Sequence, residues 1–354
     1  MSGTRTELLG ELLQATSRSF YLTLRVLPRA VRPQIGLAYL LARTTDTIAD
    51  TEIVPPAQRL DALCALRERI LGQSAAPLDF GGLARHQGAP AERVLLEKVG
   101  ASLALLATLS AADLALVRAV LATIISGQEL DLQRFGEAAP SATAPKNILA
   151  LPTDAELDDY TWRVAGCVGE FWTKICRAHL FPQAALDEGQ LVADGIRFGQ
   201  GLQLVNILRD LPADLKNGRC YLPADRLAAA GLKPETLLNP ANEAIFLPLY
   251  RSYLDRAEAH LAAGWRYTNA LPAGQFRVRL GCAWPVLIGL RTIARLRTAG
   301  VAELQARVKI TRPQVRHILI RSLLASPFPS VWRRLDVTLG HATGKAVASG
   351  HKLT

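Results

Sequence analysis

Apolar residues recur at intervals of three and four through almost the whole chain, and the strict alternation that marks a strand is nearly absent. Alanine and leucine dominate the patterned windows, and both are strong helix formers. The patterns predict helices over 33–50, 56–72, 92–108, 111–133, 155–179, 186–211, 242–268, 276–299 and 312–325. Shorter pieces are expected near 4–16 and 223–230, and no stretch reads as a strand. Such a chain is expected to be all-α.

The breaks come from local chemistry: Pro55-Pro56, the Gly81-Gly82 region, Gly218, the segment Leu238–Pro240, and an Ala/Pro/Ser/Thr stretch over 138–145. None resembles an interdomain linker, so residues 1–354 are expected to form a single helical domain with its core over about 4–326. The stretch 138–153 reads as a flexible loop or a lid, and the tail 340–354 as frayed.

Apolar residues make up 49% of the chain and the mean hydropathy is slightly positive, enough for an apolar cavity as well as a core. The longest candidate membrane segment, from Val99 to Ala112, is stopped by Asp113, and the N-terminal residues lack a signal-peptide core. A cytoplasmic protein, soluble or peripheral to the membrane, is expected. Against 31 acidic residues stand 41 basic ones, and the resulting +10 favours anionic partners. Aromatic residues are sparse and not interleaved with basic runs, so no nucleic acid is expected. The five cysteines show no CxxC spacing and imply neither zinc nor a disulfide framework.

Two helices carry the chemistry. In the first, Tyr39, Arg43, Asp46 and Asp50 follow spacings of four, three and four and share one stripe. In the second, Gln203, Asn206, Asp210 and Asp214 repeat the arrangement, with Arg209 adjacent. One DxxxD pair is ordinarily a solvated helix face. Here both pairs sit among Leu, Ile, Ala and Val, and a charged stripe on an apolar helix calls for a functional cavity or buried partners. Facing each other, the stripes would surround a space suited to magnesium, which keeps waters and shares phosphate oxygens; a diphosphate bridging the pairs is the natural ligand. Arg18, Arg43, Arg209 and Arg219 would balance leaving-group charge with planar forks of donors.

From these residues outward the sequence resembles the squalene/phytoene synthase family, the head-to-head prenyl diphosphate synthases. The resemblance rests on SRSFYLTLRVLP from Ser17, YLLARTTDTIAD from Tyr39, GQELD from Gly127, YTWRVAGCVGEFW from Tyr160 and LQLVNILRDLPADLKNGRCYLP from Leu202, in the family's order. It implies a helical bundle of the isoprenoid synthase type around a central cavity, magnesium, and prenyl diphosphate substrates. By position, Asp46, Asp50, Asp210 and Asp214 match metal ligands. Tyr39, Tyr160 and Arg209 match catalytic groups, and Ser17, Arg18, Ser19, Arg43, Arg219, Gln203 and Asn206 match groups that bind the diphosphate or shape its site.

The fourth and fifth segments look most like bacterial squalene synthases. That likeness implies two farnesyl diphosphates joined through presqualene diphosphate to squalene, with hydride from NADPH. The alternative is a synthase of phytoene, dehydrosqualene or presqualene diphosphate that uses no reductant. Because the product would be a water-insoluble hydrocarbon, contact with the membrane surface is expected. A non-enzymatic alternative is a peripheral lipid-binding helical protein.

Two features depart from a simple reading. Pro212, between Asp210 and Asp214, is expected to kink or end its helix and so to weaken the metal role of Asp214. Asp131, in GQELD, reads as an acid on a helix surface. Gly166 and Gly169 are expected to permit close helix approach or to make room for a substrate tail.

Overall fold

The structure is a computed structural model that describes residues 6–17, 20–136 and 148–340. Arg18, Ser19, the segment 138–147 of the expected loop and the tail beyond Gly340 lie outside them.

The chain is helical almost throughout. A turn of π-helix over Glu7–Leu12 runs into α1 (Leu13–Ser17), followed by α2 (Phe20–Val26), α3 (Arg32–Ala49), α4 (Pro56–Leu71) and α5 (Gly81–Arg85). Next come α6 (Pro90–Glu97), α7 (Val99–Leu106) and α8 (Ala111–Phe135). After β1 (Leu149–Ala150) stand α9 (Asp154–Thr161), a π turn over Trp162–Gly166, α10 (Cys167–Leu180) and α11 (Glu188–Lys216). Past β2 (Arg219–Cys220) and α12 (Ala224–Ala229), the chain forms α13 (Glu243–Ala270), α14 (Phe276–Thr298), α15 (Val301–Gln305), α16 (Arg312–Ala325) and α17 (Pro329–Arg333).

Local chemistry sets these boundaries. Prolines open α4, α6 and α16, where a missing N–H costs nothing. Gly72, at φ +75°, closes α4, and Ser110 caps α8 by accepting from the Asp113 amide.

Several expectations need correction. The single helix expected over 92–108 is two, because Lys98 leaves helical geometry at φ −94°, ψ 9° between α6 and α7. The window 155–179 is interrupted by the π turn. A strand pair exists, though minimal: β1 and β2 run parallel, with the Leu149 amide donating to Gly218 O and the Leu151 amide to Cys220 O, both at 3.0 Å.

Pro212 neither ends nor breaks α11, which continues to Lys216 and keeps Asp214 on the helix. Proline at 212 deprives the carbonyl four residues earlier of its helical donor. That carbonyl, on Leu208, accepts instead from the buried Tyr250 hydroxyl of α13 at 2.9 Å.

Two large buried clusters and a smaller third, around Cys176, Tyr267 and Cys282, make up the core of the described residues. One gathers α3, α4, α8 and the start of α10; the other gathers α11, α13, α14 and the C-terminal helices. Along their seam, α10 and α11 approach backbone to backbone. A Cβ on Gly169 would lie 1.9 Å from Gly195 O, and one on Gly199 would lie 2.2 Å from Ala165 O. The glycine-rich pattern is therefore steric. Helix α8 is long and apolar enough to cross a bilayer by length and composition, yet it packs against α3, α4 and α10 and carries polar groups to the seam.

Candidate active site

The two acidic stripes face each other across the seam. A cavity of about 480 Å³ is lined by Asp46, at the end of α3, and Asp50, just beyond it, and by Asp210 and Asp214 of α11. Helix α8 adds Gln128 and Asp131, α9 adds Tyr160, and the segment after α11 adds Arg219 and Tyr221. Gly218, at φ +78°, makes the turn that brings Arg219 back to the cavity after α11 ends.

The cavity is acidic. Its lining holds five carboxylates (Asp46, Asp50, Asp131, Asp210 and Asp214) against three guanidinium groups (Arg43, Arg209 and Arg219). Burial, reinforced by the charge of Asp50, pushes the Asp46 carboxyl up to about 6. The Asp46 side chain keeps 46% of its surface accessible where it lines the cavity. Asp214 is pushed up to about 7 by burial and by the charge of Asp210, with Arg219 opposing. Burial also raises Asp50, offset in part by Arg219 and Arg43. Asp210 is the exception: burial works to raise it, but the Arg209 and Arg307 guanidinium groups prevail and hold it below the usual carboxylate range.

Specific partners fix the acids in place. Gln128 Nε2 donates to Asp46 Oδ1 at 2.5 Å, leaving the buried Gln128 Oε1 without a partner. Arg209 reaches both oxygens of Asp210, at 3.1 and 2.5 Å. The Tyr221 hydroxyl donates to Asp131 at 2.9 and 3.0 Å, with Arg219 Nη1 3.7 Å from the same carboxylate. Tyr160 stacks on Tyr221 with ring centroids 4.8 Å apart and donates its hydroxyl to the Tyr221 oxygen at 3.4 Å.

The donor set suits a hard divalent cation. Among the described residues all the ligand candidates are oxygens, no histidine or cysteine lines the cavity, and its carboxylates outnumber its guanidinium groups. Among the described residues no three acidic, histidine or cysteine groups converge at ligating distance on one point. That pattern fits ions held by one or two carboxylates each, with the remaining sites filled by phosphate oxygens and water.

A second chamber of about 380 Å³ adjoins the first, and Ile124, Val164, Gln203 and Asn206 line both. Its walls are greasy, with Ile35, Val120, Val168, Phe171, Phe198 and Leu202 among them. Val164 reaches the junction from the π turn, a deformation common at functional sites.

Of the residues singled out in the sequence, Arg43, Asp46, Asp50, Tyr160, Gln203, Asn206, Arg209, Asp210, Asp214 and Arg219 are brought together around the polar cavity. Tyr39 is not: it lines the apolar chamber, and its hydroxyl lies 3.4 Å from Thr16 O. Ser17 also departs from expectation. It is buried, lines neither chamber, and donates its hydroxyl to Leu13 O one turn back. Arg18 and Ser19 lie outside the described residues. Arg43 lines the cavity but also pairs with Glu92 of α6.

Asp131 is no surface acid: it stands inside the cavity, raised to about 6 chiefly by burial, with Arg219 and Tyr221 opposing. Gln128 and Asp131, three apart on one helix, form a third polar stripe, of which the sequence reading weighed Asp131 alone and placed it on the helix surface. Arg307, which donates to Asp210 Oδ1 at 3.1 Å from the loop after α15, carried no sequence signal.

The family model described as squalene/phytoene synthase matches residues 13–314. The chain belongs to the squalene/phytoene synthase family. A presqualene diphosphate synthase of Rhodopseudomonas palustris is 29% identical over 262 residues, 73% of this chain and 77% of that protein. The phytoene synthase of Thermus thermophilus is 32% identical over 182 residues, 51% of this chain and 57% of that protein. A ligand-bound TcSQS structure superposes with a TM-score of 0.74 at 20% identity, covering 97% of this chain and 94% of that one. A dehydrosqualene synthase complex gives 0.62 at 19% identity, covering 92% and 98%. These structures establish the likeness of fold: the squalene/phytoene synthase family chain has the isoprenoid synthase architecture.

Proposed function

We propose that this enzyme joins two farnesyl diphosphates head to head into a cyclopropyl diphosphate of the presqualene type. The observation that carries the reading is the pair of facing acidic stripes around a polar chamber that shares lining residues with an apolar one. The chemistry has the same division: a diphosphate head must be held and released, and two hydrocarbon tails must be kept from water.

In this reading Asp46, Asp50, Asp210 and Asp214 hold magnesium, which when bound supplies positive charge to the departing diphosphate. Arg43, Arg209 and Arg219 take up the charge that develops on the bridging oxygen as the C–O bond of the first substrate breaks. The amide oxygens of Gln203 and Asn206, at the junction of the chambers, face the allylic cation left behind. The alkene of the second substrate attacks that cation, and the released diphosphate takes up the proton lost as the cyclopropane ring closes. Tyr160, Tyr221 and Asp131 form a hydroxyl relay at the polar end. Burial raises both tyrosines well above their ordinary range, so they act as O–H donors at neutral pH. The walls of the apolar chamber exclude the water that would capture a carbocation.

Squalene formed with NADPH, the leading expectation from sequence, is not favoured over this reading, because relatives matched over most of their length are presqualene diphosphate synthases. Incubation with farnesyl diphosphate and magnesium, with and without NADPH, tests the proposal. A cyclopropyl diphosphate under both conditions is expected. Squalene formed only with NADPH would extend the reaction to the reductive step, and the absence of any condensed product would overturn the proposal.

A further inference from the structure

We propose that α16, α17 and the turn that follows form a docking surface for an anionic lipid bilayer. Helix α16 has two faces. Ile318, Ser322 and Ala325 are buried against the bundle, where Trp284 of α14 donates its indole N–H to Ser322 Oγ at 2.9 Å. The opposite stripe carries Arg312, Arg316, Ile320, Leu323 and Leu324, all exposed.

The apolar exposure is concentrated here. Twelve large apolar residues among the described ones are exposed, and six of them, Ile320, Leu323, Leu324, Phe328, Val331 and Val337, fall within residues 320–337. Leu324, Phe328 and Val337 are 65%, 59% and 64% exposed, so these side chains stand out from the surface rather than lying along it. Scattered exposed leucines need no explanation; a cluster of this kind marks a contact surface.

Charge identifies the occupant. Lys309, Arg312, Arg316, Arg321, Arg333 and Arg334 are exposed in the same segment, and no Asp or Glu occurs between Glu303 and Asp336. Apolar side chains amid a field of cations suit the boundary between anionic headgroups and acyl chains. A second copy of the chain would set cations against cations across a twofold contact. Nucleic acid would leave the apolar side chains unused.

The location fits an enzyme with a greasy product. Helix α14 carries Gly281, Cys282 and Pro285 on the wall of the apolar chamber and Trp284 on the side that holds α16, so α14 alone separates the chamber from the helix that bears the docking surface. None of the docking residues lines either chamber. The surface is therefore inferred independently of the reaction assigned to the cavity.

The test is cosedimentation of the full chain with phosphatidylcholine vesicles, with and without phosphatidylglycerol. Strong binding only to the anionic vesicles, weakened by salt, is expected. R316Q/R321Q is expected to bind about 30-fold more weakly, from about 1 kcal/mol per cation, and L324E/F328E is expected to lose binding. Both variants should keep the wild-type circular dichroism and magnesium-dependent diphosphate release in vesicle-free buffer. Wild-type protein that stays in the supernatant, or binds neutral and anionic vesicles alike, would overturn the proposal. So would variants that bind like the wild type, or a wild-type dimer in ultracentrifugation that L324E/F328E dissociates.

Discussion

Arg307 donates to Asp210 Oδ1 at 3.1 Å from a backbone at φ +62°, the left-handed region that side chains other than glycine seldom adopt. Arg209 reaches the same carboxylate, so two guanidinium groups converge on Asp210.

In the proposed role of Asp210 as a metal ligand, a bound cation competes with Arg307 for the carboxylate. Arg307→Gly, which removes the ion pair and accepts the positive φ, is expected to tighten Mn²⁺ binding to the substrate-free protein by up to about fivefold, the range of a partly exposed pair. Titration calorimetry reads this directly. Affinity unchanged in the variant would mean that Arg307 does not oppose the metal.

The raised carboxyls give a pH dependence of definite sign. Asp46 and Asp131 titrate near 6 and Asp214 near 7 in the folded chain, whereas unfolded aspartates titrate near ~3.9. Between these limits the folded state holds more protons than the unfolded one. Their contribution to stability is fully present at low pH and is lost as pH rises through about 6 to 7. In the proposed role of Asp46 and Asp214 as metal ligands, magnesium displaces their protons, so its stabilising effect on thermal unfolding should be larger at pH 8 than at pH 5.5. Asp214→Asn should flatten the pH dependence of the metal-free protein, and an unaltered profile would contradict the burial of that acid.

The Tyr250 hydroxyl replaces the helical donor that Pro212 removes. Tyr250→Phe is expected to cost about 1–3 kcal/mol, the penalty of an unsatisfied buried carbonyl, measured by urea unfolding. In a Pro212→Ala background the restored amide takes over, and the same substitution should cost less. Equal costs in both backgrounds would separate the two residues.

This pair also marks where the sequence stopped being legible. The all-helical class and the facing stripes of α3 and α11 could be read because a helix of period 3.6 turns spacings of three and four into one face. The end expected for α11 at 211 was wrong because the donor that rescues Leu208 O lies 42 residues away in sequence, on Tyr250. Asp131 was misread for a similar reason: its burial is produced by Tyr221 and Arg219, which reach it only after the turn at Gly218. Ser17 carried a motif's expectation, but its hydroxyl is claimed by the preceding turn of its own helix. Spacing reveals which side chains share a face, and only packing decides what that face meets.

The account depends on two acidic helix faces gripping one diphosphate through shared divalent ions, and inorganic pyrophosphate tests it without any turnover. Calorimetry of wild-type protein should show pyrophosphate binding that requires magnesium and is lost in both Asp46→Asn and Asp214→Asn, each variant keeping its helical circular dichroism. Pyrophosphate binding of equal strength without magnesium, or unaffected by either substitution, would contradict it.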